Sequence, residues 1–424
     1  MVSTGSRRHV PKGELRIAIV SPYPPPGKKH VYGSGVVSYT KNLVEALRIV
    51  APQNVQIFVI ADKLMNTRRV YREDGVYIIR CFSKNALYIF QIFRQICKIR
   101  PDIIHLQHEY FLYGGLLSAI LFPFLVLLSR LIAKNVVVTL HHGVFPLSNL
   151  DDKDFRKENG LRGPPFLLKL GLLTITRMIA LLAHRIIVHE LFMKKYLVVD
   201  YKVPLHKIKI VPHGVENAET LPKEEAKKKL RLEGKTVLLY FGYLTGYKGI
   251  KEFLDAYKEI AKKIPSTVLV IAGGPHPRLI KEKWYRDWIH DLVKKALAIQ
   301  REIKDSGRIV FTGYVPEDKI PLYFSAADIV VLPYKARIAA SGPEALAIAF
   351  EKPYLISRGL EKPSETYPPM LVNSILRLLH ELHTSRRKIT YVKMTREWRI
   401  VARIHLKVYS NIVYSMFDAL RHGG

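Results

Sequence analysis

Short, unbroken apolar runs recur along the first half of the chain, each separated from the next by a helix-period stretch. They are LRIAIV (15–20), VQIFVI (55–60), VYIIRC (76–81), IIHL (103–106), VVVTL (136–140), RIIVH (185–189) and IKIV (208–211). Runs of four to eight apolar residues without alternation suit strands covered on both faces, and therefore a parallel sheet with crossover helices. The pattern pauses over a charged, polar stretch, PHGVENAETLPKEEAKKKLRLEGK (212–235), which reads as a linker plus one exposed helix. It then restarts with TVLLYFG (236–242), TVLVIAGG (267–274), RIVFTGYV (308–315), ADIVVLPY (327–334) and PYLIS (353–357). Two such series predict an α/β chain of two doubly wound, Rossmann-like domains facing each other across a cleft. The expected division is a basic arm over 1–14, a first domain over 15–212 and a second over 213–394. A closing helix over 395–424 has a helical apolar period that allows it to cross back to the first domain.

Two stretches exceed what a sheet-covering helix needs. Residues 110–129 carry no charge and are long enough to reach across a bilayer core; residues 166–183 are apolar but interrupted by Lys169 and Arg177. Both are expected as helices of the first domain, half-buried, at the surface of an anionic leaflet rather than through it.

Composition sharpens that picture. The 424 residues include 48% hydrophobic and 24% charged, an ordinary globular balance, but the formal net charge is +31. So large an excess points to nucleic acid, an anionic membrane surface or phosphorylated substrates as partners. The charge is spread along the chain with no nucleic-acid motif, so specific nucleic-acid binding is not expected. Cys81 and Cys97 lack metal-ligand spacing, and a reducing compartment is the simpler reading. The first fourteen residues have no apolar signal core, so the expected place is cytoplasmic, peripheral on the inner face of the cell membrane.

The candidate chemistry lies just after strands. In FGYLTGYKGIKEF, a strand ends at Gly242 and Lys248-Gly249 opens a helix, placing an ammonium and free backbone N–H groups at one helix start. Such a group suits a phosphate, although a surface lysine beside a cap has the same pattern. In AASGPEALAIAF, Ser341 and Gly342 precede Pro343 at a second helix start, with Arg337 in the loop before it. Glu344 in the first turn is placed either to accept from sugar hydroxyls or simply to complement the helix dipole. Histidines follow two strands of the first domain, in HLQHEY (His105, His108, with Glu109) and in TLHHG (His141, His142). Their positions favour positioned hydrogen-bonding groups over a metal site. GSGVVSYTKNLVEAL (33–47) is a glycine loop opening a helix but lacks the dinucleotide fingerprint, which disfavours a redox cofactor.

Taken in order, GSGVVSY, DIIHLQHEY..YGG, VVVTLHH, HKIKIVPHGVE, FGYLTGYKG, VLVIAGGPHP, IVFTGYVPEDKIPLYFSAADIVVLPY and ASGPEALAIAFEKPYLIS resemble the retaining GT-B glycosyltransferases of the family-4 type, over nearly the whole chain. The Ser-Gly form of the last loop resembles one subgroup. The resemblance implies transfer of a sugar from a UDP- or GDP-sugar to a glycan or lipid-linked acceptor, with retention, no metal and no tightly bound cofactor. It implies that Lys248 holds the donor diphosphate beside Gly242, Tyr243 and Gly274, and that Tyr314 and Val315 meet the base. Ser341, Gly342 and Glu344 would hold phosphate and sugar, His141 would sit near the reacting sugar, and His141, Lys248 and Glu344 become the candidate catalytic residues. Gly33, Ser34, Gly35, His108, Glu109 and His213 would line the acceptor side or the diphosphate loop. The sequence departs from the family at Tyr243, where an arginine is common, and Arg337 is the expected substitute. Ile338 and Leu346 stand where two glutamates are common, which keeps open a degenerate, non-catalytic protein acting as a basic binding scaffold.

Overall fold

A computed structural model of the chain describes residues 14–28, 35–357 and 367–422. The first lobe is an eight-stranded sheet in the order β3-β4-β2-β1-β5-β6-β7-β8. Its strands are β1 (Leu15–Val20), β2 (Val55–Asp62), β3 (Val70–Glu73), β4 (Val76–Phe82), β5 (Ile103–His108), β6 (Asn135–Leu140), β7 (Arg185–Val188) and β8 (Ile208–Ile210). The second lobe is a five-stranded sheet in the order β11-β10-β9-β12-β13. Its strands are β9 (Thr236–Phe241), β10 (Thr267–Ala272), β11 (Gly307–Gly313), β12 (Ile329–Leu332) and β13 (Tyr354–Ile356). All named pairings are parallel except β3 with β4. Every residue of β5, β6, β10 and β12 is buried, as continuous apolar strands between two helix layers require.

The expected α/β fold of two Rossmann-like lobes is what forms. The hairpin β3–β4 is an addition. VYRE has too few apolar residues to read as a strand, yet Asp74 and Gly75 turn it back on β4 with φ of 49° and 88°. Asp-Gly at a two-residue loop is the sequence signal that marks this turn. The linker helix is also less exposed than its charge implies. In Lys223–Lys229, Lys227 is buried and its ammonium donates to Asp328 (2.9 Å), which also pairs with Lys223 and accepts from the Val237 amide (2.8 Å).

In each sheet the strand order reverses beside the first strand, between β1 and β5 and between β9 and β12. At such a switch point the adjoining loops diverge and leave a crevice at the strand C-termini. Two chain passages join the lobes side by side: Val215 forms a β-bridge with Glu397, and its amide donates to Arg396 O (2.8 Å). Beyond them, helix Trp398–His422 lies on helix Gly35–Val50, and Val401, Ala402, Tyr409 and Ile412 share a core with Ile17, Tyr39 and Leu43. Each large apolar side chain so buried contributes roughly 1.5–3 kcal/mol, which is why the closing helix belongs energetically to the first lobe.

Candidate active site

The loop after β9 is built around close backbone approach. Gly242 has φ 121°, and a Cβ on Gly273 would lie 1.9 Å from Gly242 O, so the loops after β9 and β10 touch without room for a side chain. The chain then makes a single 3₁₀ turn at Gly246–Lys248, and Gly249 (φ 71°) opens helix Ile250–Lys263. Lys248 reaches back over this loop. A Cβ placed on Gly242 would sit 3.1 Å from Lys248 Nζ and 3.4 Å from Pro343 Cγ. Lys248 and the Ser341–Pro343 turn therefore meet at one point in the crevice. Among the described residues no hydrogen bond or ion pair engages the Lys248 ammonium, and burial pulls its pKa down to about 8. An under-solvated, unpaired cation beside two helix starts has the chemistry that suits an anion.

Ser341 caps helix Gly342–Ala349, its hydroxyl accepting from the Glu344 amide (3.2 Å) and bonded to the Tyr334 hydroxyl (2.9 Å). Glu344 is 6% exposed, and Arg337 Nη2 lies 3.3 Å from its carboxylate. The Arg337 guanidinium is also 4.6 Å from the centre of the Phe192 ring, across the lobe boundary, and its buried Nε has no partner among the described residues. Arg337, expected to face the diphosphate, is paired with Glu344 here, because the loop leaving β12 folds back over the first turn of the helix that carries Glu344. Tyr243, where the family's arginine is common, instead lies beside His276, ring centres 5.2 Å apart.

The lobes are tied together by residues that the sequence left unmarked. Glu158 Oε1 and Oε2 accept from the Gly246 and Tyr247 amides, both at 2.9 Å. Burial raises the Glu158 carboxyl and the two amide bonds oppose that rise. A Cβ on Gly246 would strike Glu158 Oε1 at 2.3 Å, so the glycine is needed for the contact. Alongside, Ala339 forms a β-bridge with His142, and Ile338 is buried in the first lobe's core. Arg278, in the loop after β10, lines a small cavity with Glu109, Phe111, His142 and Leu172 of the first lobe. Glu158 lies in DDKDFRKENG, which has the look of ordinary surface; only Gly246 beside a helix start hinted at a close approach.

His141 is held on both sides: its Nε2 is 2.7 Å from Gln107 Oε1 and its Nδ1 is 3.1 Å from His189 Nε2. Gln107 continues to His105 (3.2 Å), which bonds Thr139 (2.6 Å) and the Tyr409 hydroxyl on the closing helix (2.7 Å). Burial holds His141 and His105 well below the ordinary imidazole range and takes His189 to about 3, so this buried chain is uncharged at neutral pH. His213 stands beside it, 5.3 Å from Tyr39 by ring centres, with burial lowering its pKa. His108 is sealed against Phe122 at 4.1 Å instead of facing the crevice, and burial takes it to about 3. Glu109 faces the cavity with its carboxyl raised by burial. Gly274 lies against the Tyr314 backbone, where a Cβ would be 3.1 Å from the Tyr314 nitrogen. Tyr314 is half exposed and Val315 buried, a wall with one open aromatic. Gly35 opens the first helix, while Gly33 and Ser34 lie outside the described residues. Among the described residues no three His, Cys, Asp or Glu side chains are grouped to hold a metal ion.

Residues 33–219 match the model for Glycosyltransferase Family 4, and residues 222–362 match that for Glycosyl transferases group 1. The chain is 28% identical over 177 residues to a lipopolysaccharide 1,2-N-acetylglucosaminetransferase of Salmonella typhimurium, covering 41% of this chain and 44% of that protein. It is 24% identical over 155 residues to a GDP-mannose-dependent alpha-(1-6)-phosphatidylinositol monomannoside mannosyltransferase of Mycolicibacterium smegmatis, covering 35% of this chain and 36% of that one. The matches thus span less than half the length of these curated relatives. Among solved structures, a sucrose-phosphate synthase from Thermosynechococcus elongatus superposes with a TM-score of 0.68 at 19% identity, covering 95% of this chain and 100% of its own.

Proposed function

We propose, from the premise that the chain belongs to the group 1 GT-B glycosyltransferases, that it moves a sugar from a nucleotide-sugar to a glycan or lipid-linked acceptor. The observation that carries this reading is the meeting of an unpaired Lys248 ammonium with the Ser341–Pro343 turn at Gly242. A nucleoside diphosphate laid there has its charge met by Lys248 and by the amides at two helix starts, and its base falls near Tyr314 and Val315. As the bond from the anomeric carbon to the diphosphate breaks, negative charge grows on the departing oxygen. Lys248 then stabilises the transition state more than the bound donor, which is the condition for catalysis. Charge neutralisation by Lys248 and amides is the basis for proposing transfer without a metal.

Retention at the anomeric carbon follows from the family resemblance. In that geometry the acceptor hydroxyl approaches on the face from which the diphosphate leaves, so the leaving oxygen itself is the nearest base. His141, neutral and bonded through both ring nitrogens, is placed to orient the sugar and not to donate a proton. Glu344 reaches a sugar hydroxyl only if its pair with Arg337 opens.

The test is turnover of a panel of UDP- and GDP-sugars with the purified chain, read as nucleoside diphosphate release alongside the thermal midpoint. A ligand at about one hundred times its dissociation constant adds about 2.7 kcal/mol of stability. Release with at least one donor, lost in Lys248→Ala, supports transfer. The competing reading, a non-catalytic protein of this fold, draws on the Arg337–Glu344 pair, which withdraws both groups from a donor. It predicts a thermal shift with a nucleotide and no release from any sugar of the panel.

A further inference from the structure

The two apolar stretches form neighbouring helices on one face of the first sheet, Leu116–Ile132 and Pro165–Leu182. The first buries Phe122, Leu125, Val126 and Ser129 against the sheet, as any covering helix must. Its opposite side is apolar as well. Leu117 (59% exposed), Ile120 (45%), Phe124 (48%), Leu127 (39%) and Leu131 (68%) follow one another at steps of three and four, a full stripe facing outward. The second helix repeats this with Phe166, Leu167, Leu170 and Leu181, each more than half exposed. It is long and apolar enough to cross a membrane by length and composition, yet it lies flat on the sheet, where Leu172, Ile179 and Ala180 anchor it in the core. Contiguous apolar surface of this extent marks an interaction site.

What covers it is indicated by charge. The C-terminal ends of both helices converge on a cationic group. Arg130 donates to Leu182 O (2.8 Å), and Lys207 donates to the carbonyls of Ala180 (2.7 Å), Leu181 (3.0 Å) and Ala183 (2.9 Å). Arg185 stands beside them, donating to His184 O (2.8 Å). Among the described residues no carboxylate forms an ion pair with Arg130, Arg185 or Lys207. Burial, then mutual repulsion with Arg130 and Arg185, lowers Lys207, so the three cations are close neighbours.

We propose that this face is a docking surface for an anionic bilayer, with the exposed stripes of both helices entering the headgroup boundary, Arg130 and Arg185 meeting lipid phosphates, and Lys207, whose three N–H groups are given to helix carbonyls, adding positive charge beside them. A flat helix pair with an apolar outer side and cations at one end fits a leaflet in a way that neither a soluble face nor a spanning helix does. The leaflet is the cytoplasmic one, where anionic lipid sets a negative surface potential. At its other end, helix Leu116–Ile132 follows the loop of Glu109 and Phe111, which lines the cavity with Arg278, so the face adjoins a contact between the two lobes. The inference goes beyond sugar transfer and stands without it.

Flotation of the purified full-length chain with phosphatidylcholine vesicles, and with vesicles containing about 30% phosphatidylglycerol, tests this with no donor present. The chain floats with the anionic vesicles and not with the neutral ones. Leu117→Glu with Phe124→Glu lowers the vesicle partition about tenfold or more. Arg130→Gln and Arg185→Gln each lower it about fivefold at low salt, the equivalent of about 1 kcal/mol per basic residue. Should the double variant fold poorly by its thermal midpoint, Leu131→Glu alone carries the same expectation. A Leu170→Trp chain, which keeps the face apolar, shifts its added fluorescence to the blue with anionic vesicles. Equal partition of the glutamate variants overturns the proposal. So does a dimer by light scattering that falls to monomer in those variants while neither form floats, which assigns the face to a second copy of the chain.

Discussion

The outer helices of the two lobes obey different rules. In the second lobe, helix Ile250–Lys263 buries Phe253, Leu254, Tyr257 and Ile260 and presents Glu259, Lys262 and Lys263 to water. Helix Lys283–Ile303 beside it is mostly charged outside, and pairs such as Lys258–Glu302 and Lys295–Asp255 (each 2.6 Å) lace the two together. In the first lobe, helices Leu116–Ile132 and Pro165–Leu182 are apolar on the inner and outer sides alike. The interiors differ in the opposite sense. The second lobe's core is aliphatic and aromatic apart from the buried Lys227–Asp328 pair, whereas the first holds His105, His141, His189 and His405 uncharged. Covering a sheet consumes one face of a helix; the other face is free to be set by what the lobe must meet. The second lobe has the solubility pattern outside and keeps the unpaired Lys248 cation in the crevice, and the first lobe carries its unusual features on its outside and along the crevice wall.

The largest test of this contrast is at the crevice. Lys248→Ala is expected to lower turnover by about two to three orders of magnitude while leaving the fold intact, measured as nucleoside diphosphate release. A wild-type rate would remove the second lobe's claim to the chemistry. The same lysine sets a pH limit. It is charged below about 8 and neutral above, so kcat/KM for the donor falls as pH rises through 8, about tenfold per unit once the group is neutral. A profile flat to pH 10 would show that the charge is not used.

Next in size is the acid response of the first lobe. Its buried histidines bind protons near pH 6.5 when unfolded but, at about 3 for His189 and about 4 for His405, hardly at all when folded. The stability they allow is complete above pH 6.5 and is lost as pH falls below it, by roughly 1.4 kcal/mol per unit for each histidine. Hydrogen exchange corrected for intrinsic rate should show the first lobe opening ahead of the second between pH 7 and pH 5. His189→Gln should flatten that dependence.

Smaller again is the tie between lobes. Glu158→Ala removes the acceptor of two amides and should cost about 2 kcal/mol, read as faster exchange at Gly246 and Tyr247. Glu158→Gln, which keeps one acceptor oxygen, should fall between. Unchanged exchange would mean that the lobes are held elsewhere, at the His142–Ala339 bridge.

Much of this architecture is legible in the chain. Each of the apolar runs read as a strand is one, because a parallel strand between two helix layers is covered on both faces and reads as a run, most plainly at β1, β6, β10 and β12, while β8, β11 and β13 are only partly covered. The exception, β3, is an edge strand with one wet side and a mixed sequence, betrayed only by Asp74-Gly75. The loops at Lys248 and Ser341 were also legible, since a glycine before a helix start is a local requirement of backbone geometry. The pairing of Arg337 with Glu344 was not, because whether a cation meets a ligand or a neighbouring carboxylate depends on how an irregular loop folds back over a helix start. Glu158 and Arg278 were invisible for a plainer reason: each acts on the opposite lobe.

By itself, then, the order of residues determined the strands, their division between two sheets, the glycine-marked helix starts near Lys248 and Ser341 and the surplus of apolar surface in the first lobe. These follow from period, burial and backbone freedom, which act over a few residues. Only the tertiary structure decided that Lys248 stays unpaired while Arg337 does not, that histidines from three separate segments join one neutral chain, and that two apolar stripes lie side by side with a cluster of cations at one end. Contacts between distant segments are set by how whole elements pack, and that information is held in the sum of the core and not in any one stretch of the chain.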